Sequence, residues 1–194
     1  WVNTLTATAA ASLAWLAVEK RRDGHATSLG AASGVVAGLV AITPACGALS
    51  PVGSIVLGAV AGGLAALAVG LKFRFGYDDS LDVVGVHLVG GLVGTLGIGF
   101  LAVEGGLFYG DGIKLFVVQA AIAAFAILWS GVFTLLIGLA IKAVIGWRVS
   151  EEDEVEGIDL AEHGESGYDL APASGVARPV TAATLTTTPE GAKA

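Results

Sequence analysis

His87 is the side chain of this sequence whose chemistry stands out most from its surroundings. It lies inside DDSLDVVGVHLVGG, residues 78–91, where an imidazole is set among valine, leucine and glycine. Burying an unpaired polar group costs roughly 1–3 kcal/mol, so this ring needs a hydrogen-bond partner or a task. Ser80 and Asp82 are near in sequence and raise the idea of a Ser/His/Asp hydrolase. Five residues on an α-helix turn about 140° beyond one full turn, which predicts different faces for Asp82 and His87. Asp82 instead suits the start of its helix, where the dipole favours a carboxylate. No second His, Cys or carboxylate stands three or four residues from His87, so the spacing predicts no metal site. His25 and His163 lie outside the apolar stretches. Two readings of His87 stay open: a core histidine bonded once to a neighbouring helix, or a lining residue of a path for a small polar substrate, the usual meaning of an ionisable group within a membrane span. Desolvation should keep such a ring neutral, able to donate through one nitrogen and accept through the other.

The elements that must position it are membrane helices. Of 194 residues 55% are hydrophobic and 29 are glycine, and the mean hydropathy is +0.80, too apolar for a water-soluble domain. The net charge of -7 divides unevenly: residues 1–148 balance to +1, and residues 149–194 carry -8. Acidity therefore belongs to the tail. The single cysteine, Cys46, excludes an internal disulfide and CxxC chemistry, and the absence of a basic patch argues against nucleic acid as a partner. The apolar opening precedes its basic cluster, the reverse of a signal peptide. A start at Trp1 and the lack of methionine predict the carboxy-terminal part of a longer protein.

Five stretches are long enough to span a bilayer: about 2–18, 29–49, 53–73, 82–103 and 113–146. EKRRDGHATS, TPACGALSP, KFRFGYDDS and VEGGLFYGD separate them, and no β-barrel alternation appears. Lys20, Arg21, Arg22, Lys72, Arg74, Lys142 and Arg148 fall on alternate ends, which predicts an outside start and a cytoplasmic tail. The last stretch, on the order of 50 Å as a helix, exceeds the hydrocarbon core and must tilt, kink near Gly131 or Gly138, or project. Residues 149–169 keep spaced apolar positions and are expected to dock on something; 170–194 are expected to be disordered.

Glycines recur every four residues at Gly30, Gly34 and Gly38, at Gly58 and Gly62, and at Gly90 and Gly94. Such strips let helix backbones approach closely in lipid. GTLGIG, 94–99, only faintly echoes a dinucleotide loop and lacks its strand context. ITPACG, 42–47, predicts either an opened helix backbone covered by protein or an ordinary helix end at the interface.

VNTLTATAAA, GAASGVVAGLVAITPACG, DDSLDVVGVHLVGGLVG, WSGV and VSEEDEVEGIDLAEHGESGYD, taken in this order over about residues 1–169, resemble the ammonium transporter family (Amt/MEP/Rh), in particular its bacterial Amt branch. The resemblance implies an all-α, polytopic membrane helix bundle: the last five spans of an eleven-span inverted-repeat transporter, with a cytoplasmic tail. It implies a homotrimer with a pore in each protomer, carrying ammonium or ammonia and needing no cofactor. His87 matches one of two pore histidines, Val83 an apolar pore-lining position, and Asp82 the aspartate at the inner helix start, a structural cap. The partner histidine and the outer gate belong to earlier spans, so this chain alone is expected not to conduct. Gly157, Asp159, His163 and Gly164 match the family's regulatory tail, whose side of the membrane is where cytosolic PII signal proteins bind. Rival readings are an ammonium sensor and a non-conducting structural fragment; an enzyme is the least favoured, because no nucleophile and base can be assembled around His87.

Overall fold

Alanine, threonine and leucine dominate the first 18 residues, and they form the helix α1, Val2–Asp23, in the computed structural model, which describes residues 1–165. The last turn of α1 holds Lys20, Arg21 and Arg22, cations placed favourably at the negative end of the helix dipole. Arg22 donates to the Ala66 carbonyl at 2.7 Å and pairs with Asp23. That hydrogen bond holds the Asp23 carboxyl below its ordinary range and raises the guanidinium. The Glu19 carboxylate accepts from the Thr27 amide and hydroxyl at 2.9 and 2.8 Å, and Thr27 in turn caps α2, Ser28–Ile42, by accepting from the Gly30 amide.

The helix α2 ends at Ile42, and residues 43–48 form consecutive turns. Their backbone is covered: the Asn3 side-chain amide donates to the carbonyls of Cys46 and Leu49 at 2.9 and 2.7 Å. Leu49 and Ala102 form an isolated antiparallel bridge, and no strand occurs among the described residues. Ser50 caps α3, Pro51–Ala68, which has proline at its first position. The chain continues through α4, Leu71–Phe75; a π turn, Val84–Leu88; α5, Val89–Leu101; a 3-10 turn, Leu107–Tyr109; and α6, Lys114–Val144.

The helices Pro51–Phe75, Val84–Leu101 and Lys114–Val144 are long and apolar enough to cross a membrane. The helical part of α2 has 15 residues, about 22 Å, because turns occupy the end of the apolar stretch expected at 29–49. The 22 residues of α1 include Asn3, Thr4, Thr6, Thr8, Ser12 and a charged last turn, which lower its hydropathy. The 31 residues of α6 run without a break at Gly131 or Gly138.

Packing places small residues inside and large apolar ones outside, as suits a lipid-facing bundle. Ala7, Ala11, Ala37, Ala41, Ala61 and Ala65 are fully buried, whereas Leu64, Leu67, Phe125, Leu128 and Trp129 are exposed. The helix α1 packs against both α2 and α3, and α5 packs on α2 and α3. A Cβ at Gly58 or Gly62 would strike the carbonyl of Ala7 or Ala11, and one at Gly94 that of Ala41. The buried Ser54 hydroxyl is satisfied by Thr6 Oγ1 and the Pro51 carbonyl, each at 2.7 Å. Only Ala123 of α6 is buried; Phe125, Trp129 and Phe133 form an exposed run of ring contacts along it.

Among the described residues, those from Ile141 onward form a separate compact unit. Within its described part Ser150 caps α7, Glu151–Glu156, and Arg148 bonds bidentately to Glu154 at 2.7 and 2.9 Å. Gly157, at φ +107°, turns the chain into α8, Ile158–His163, and Gly164 closes it at φ +66°. His163 is the last residue of α8, and the Asp159 carbonyl accepts from the Glu165 amide at 3.1 Å. The segment 170–194, expected to be disordered, lies outside the described residues.

Because Gly62 abuts backbone and Ser54 only a hydroxyl pair, Gly62→Leu is expected to lower the melting temperature of the detergent-purified full-length parent strongly, through overpacking of about 3 kcal/mol or more. Ser54→Ala should cost only about 0.6–1 kcal/mol. Equal shifts in thermal unfolding would contradict the close α1–α3 approach.

Candidate functional site

The segment before the π turn has to leave α4 and re-enter a helix within eight residues, and carboxylates make that possible. Asp79 accepts from the amides of Val83 and Val84, at 2.7 Å on Oδ1 and 2.9 Å on Oδ2. These are orphan donors of a helix start, so Asp79 is the cap. Asp82, expected from the sequence in that role, does not perform it. Its backbone sits in the left-handed region at φ +56°, uncommon for a non-glycine residue but tolerated by aspartate. Its side chain turns to Lys72, with Oδ1 and Nζ 2.8 Å apart. That oxygen is sheltered from solvent, and the ammonium is its counter-charge although the contact lacks hydrogen-bond alignment. Asp82 does stand directly before the helix, as a cap would, but its carboxylate is turned to Lys72, and that of Asp79, three residues earlier, reaches the free amides instead.

The next five residues, Val84–Leu88, form the π turn, and the Val89 amide reaches back five residues to the Val84 carbonyl. Single π turns inside helices are uncommon and occur often at functional sites. Gly85 presses this turn onto α3: a Cβ there would lie 2.7 Å from Val69 Cγ1 and 2.8 Å from the Val69 amide nitrogen. Val86 is buried beside Trp15, Ala37, Ala65 and Ala66. With Gly85 and Val86 turned inward, His87 is exposed on the opposite side of the turn, as is Val83.

His87 borders an open depression of about 370 Å³, walled by Leu29, Ala32, Ser33 and Val36 of α2 and by Ser80, Leu81, Asp82 and Val86. Asp82 and His87 both border this depression, although the Asp82 carboxylate is turned to Lys72. The three groups of the imagined hydrolase are still unconnected. Ser80 bonds to Asp78 at 3.3 Å, Asp82 is paired with Lys72, and the His87 imidazole accepts or donates no hydrogen bond among the described residues. A nucleophile needs an adjacent base to be activated, and Ser80 and His87 are not bonded to each other. Among the described residues, no group of three His, Cys, Asp or Glu side chains could hold a metal ion. What the arrangement offers is a single imidazole, free to donate and accept, on an apolar wall.

Sequence reasoning missed Lys72, Asp79 and Asn3. The pair Asp78–Asp79 directly before the apolar run was a usable capping signal; nothing local marks Lys72 or Asn3, whose partners lie up to 46 residues away.

The chain matches the model of the Ammonium Transporter Family over residues 1–168. It is 55% identical to an ammonium transporter of Mycobacterium bovis over 191 residues, covering 92% of this chain and 40% of that relative. The crystal structure of Saccharomyces cerevisiae Mep2 is similar at a TM-score of 0.72 and 31% identity, covering 78% of this chain and 37% of the other. A structure described as Sensor Amt Protein gives a TM-score of 0.75 at 30% identity, covering 83% and 40%. The chain thus spans about 40% of the length of the curated relative it matches.

Asp79→Ala removes two bonds at the helix start and is expected to lower stability by about 1–2 kcal/mol in thermal unfolding of the full-length parent. Asp82→Asn keeps a residue that tolerates the left-handed backbone and loses only a partly exposed ion pair, at most about 1 kcal/mol. The reverse order would return the capping role to Asp82.

Proposed function

This chain belongs to the Ammonium Transporter Family, and on that premise we propose that it is the carboxy-terminal part of a membrane protein that carries ammonium, as ammonia, across the bilayer. The observation that carries this reading is His87: an imidazole with no partner among the described residues, held outward by a π turn onto a depression whose α2 wall is mostly apolar. An apolar lumen rejects a bare cation through its desolvation cost, and a neutral ring supplies hydrogen bonds to the deprotonated molecule. Val83 lines the same route one turn earlier. The helices of residues 1–148 form the last five spans, and the rest of the pore, including a second histidine, comes from the part of the protein preceding them. Alone, the 194 residues do not conduct.

The tail after Arg148 lies in the cytoplasm, in keeping with the basic residues at that end of α6 and at the ends of α1 and α4. In the whole protein, three copies assemble. The region of Gly157, Asp159, His163 and Gly164 regulates the pore from the cytoplasmic side, where a PII signal protein docks. A sensing role is the second reading, favoured by the likeness to the structure described as Sensor Amt Protein.

Methylammonium uptake in transporter-deficient cells tests the first reading, with the full-length parent, its His87→Ala variant and this chain compared at equal membrane abundance. The parent should transport, the variant should lose at least about tenfold in rate or change its charge coupling, and the chain alone should be inert. Unaltered rate, selectivity and charge coupling in His87→Ala would return His87 to a packing role. A parent that moves no methylammonium yet alters the cells' nitrogen response would favour the sensor.

A further inference from the structure

We propose that Lys72 is a positioning residue for His87, setting the direction of the imidazole and through it the rate of transport. The inference rests on the reading of His87 given above. Lys72 lies on α4, fifteen positions before His87, and its side chain is largely covered, at 18% exposure. One ammonium engages two points of the loop that leads into the π turn. It donates to the Asp79 carbonyl at 3.0 Å and faces Asp82 Oδ1 at 2.8 Å.

Both points control the backbone immediately before His87. Asp79 holds the amides of Val83 and Val84, and its carbonyl also accepts from the Asp82 amide at 3.3 Å. Asp82 is the left-handed residue, and its carbonyl accepts the Val86 amide at 2.8 Å. Val84 then receives the π bond from Val89. His87 is thus suspended between a loop fastened by Lys72 and a turn pressed against Val69 by Gly85. The left-handed conformation of Asp82 is costly for a residue with a Cβ and persists only where surrounding contacts impose it. The Lys72 ammonium is the charged contact that imposes it. Without that contact Asp82 can relax toward an ordinary helical conformation, which rewinds the turn and swings His87 along the α2 wall of Leu29, Ala32, Ser33 and Val36.

The test uses the full-length parent with labelled histidine. The His87 ring resonance is identified as the signal missing from His87→Ala. In Lys72→Met that resonance should shift, and the uptake rate per molecule in the membrane should fall about tenfold, an effect of misplacement. Lys72→Arg, which can serve the same carbonyl and carboxylate, should restore both. Asp82→Ala, losing both the counter-charge and a side chain that tolerates the left-handed backbone, should shift the ring in the same sense, while Ser54→Ala, a packing change at the opposite end of α3, should leave it in place. An unmoved His87 resonance in both Lys72→Met and Asp82→Ala overturns the proposal whatever happens to uptake. It is equally overturned if Lys72→Met transports normally while His87→Ala does not. If His87→Ala itself transports normally, the reading of His87 as a path residue fails, and the role of Lys72 fails with it.

Discussion

Backbone-to-backbone contact between α1 and α3 is the constraint on which the rest of this structure depends. Where Gly58 and Gly62 meet Ala7 and Ala11 there is no room for even one methyl group. Lipid gives helices little hydrophobic reason to associate, so their attraction comes from such proximity and from a few internal hydrogen bonds. Ser54 with Thr6 and Asn3 with the turn at 46–49 supply those bonds close to the contact. With α1 seated between α2 and α3, the two walls that receive the π turn are fixed: Val69 at the end of α3, and Ala37 on α2.

The site shows what such a rigid frame permits. A left-handed aspartate, a wide helical turn and an exposed imidazole occur within seven residues, 82–88, and each would be unfavourable in an isolated helix. They persist because Lys72, Asp79 and Gly85 tie the segment to its neighbours from both sides. The outward face of His87 is therefore a product of how its segment is fastened, by packing at Gly85 and Val86 on one side and by the Lys72 and Asp79 contacts on the other, not of the polarity of the ring.

Much of the helical architecture could be read from letters because in this chain apolar runs and charged breaks alternate strongly. Glycines at four-residue spacing likewise announced the faces of close contact. Asp82 invites the role of cap because it directly precedes the apolar run, whereas the carboxylate that reaches the Val83 and Val84 amides is that of Asp79, three residues earlier. The turn of about 140° expected between Asp82 and His87 presumed uninterrupted α-helical geometry, and hydropathy has no signature for a π turn. The short helix in the stretch 29–49 reflects Thr43, Pro44 and Gly47, yet only the structure shows Asn3 covering the opened backbone, because that contact joins residues more than forty positions apart. His87 was conspicuous in sequence for the reason that makes it conspicuous in space: it is the one imidazole in the apolar spans.

The π turn has a consequence for the register of everything after it. A wide turn accommodates one residue more than an α-helical turn, so it acts as an inserted residue hidden within a continuous helix. Loss of a single residue within Val84–Leu88 would let the segment rewind as regular α-helix with the remainder of α5 still in phase, so that Gly94 would keep facing Ala41. A deletion further along α5, where no wide turn holds a spare residue, would instead rotate everything after it by roughly 100°. The turn can therefore give up a residue without disturbing the packing beyond it, and what such a deletion removes is the outward placement of His87.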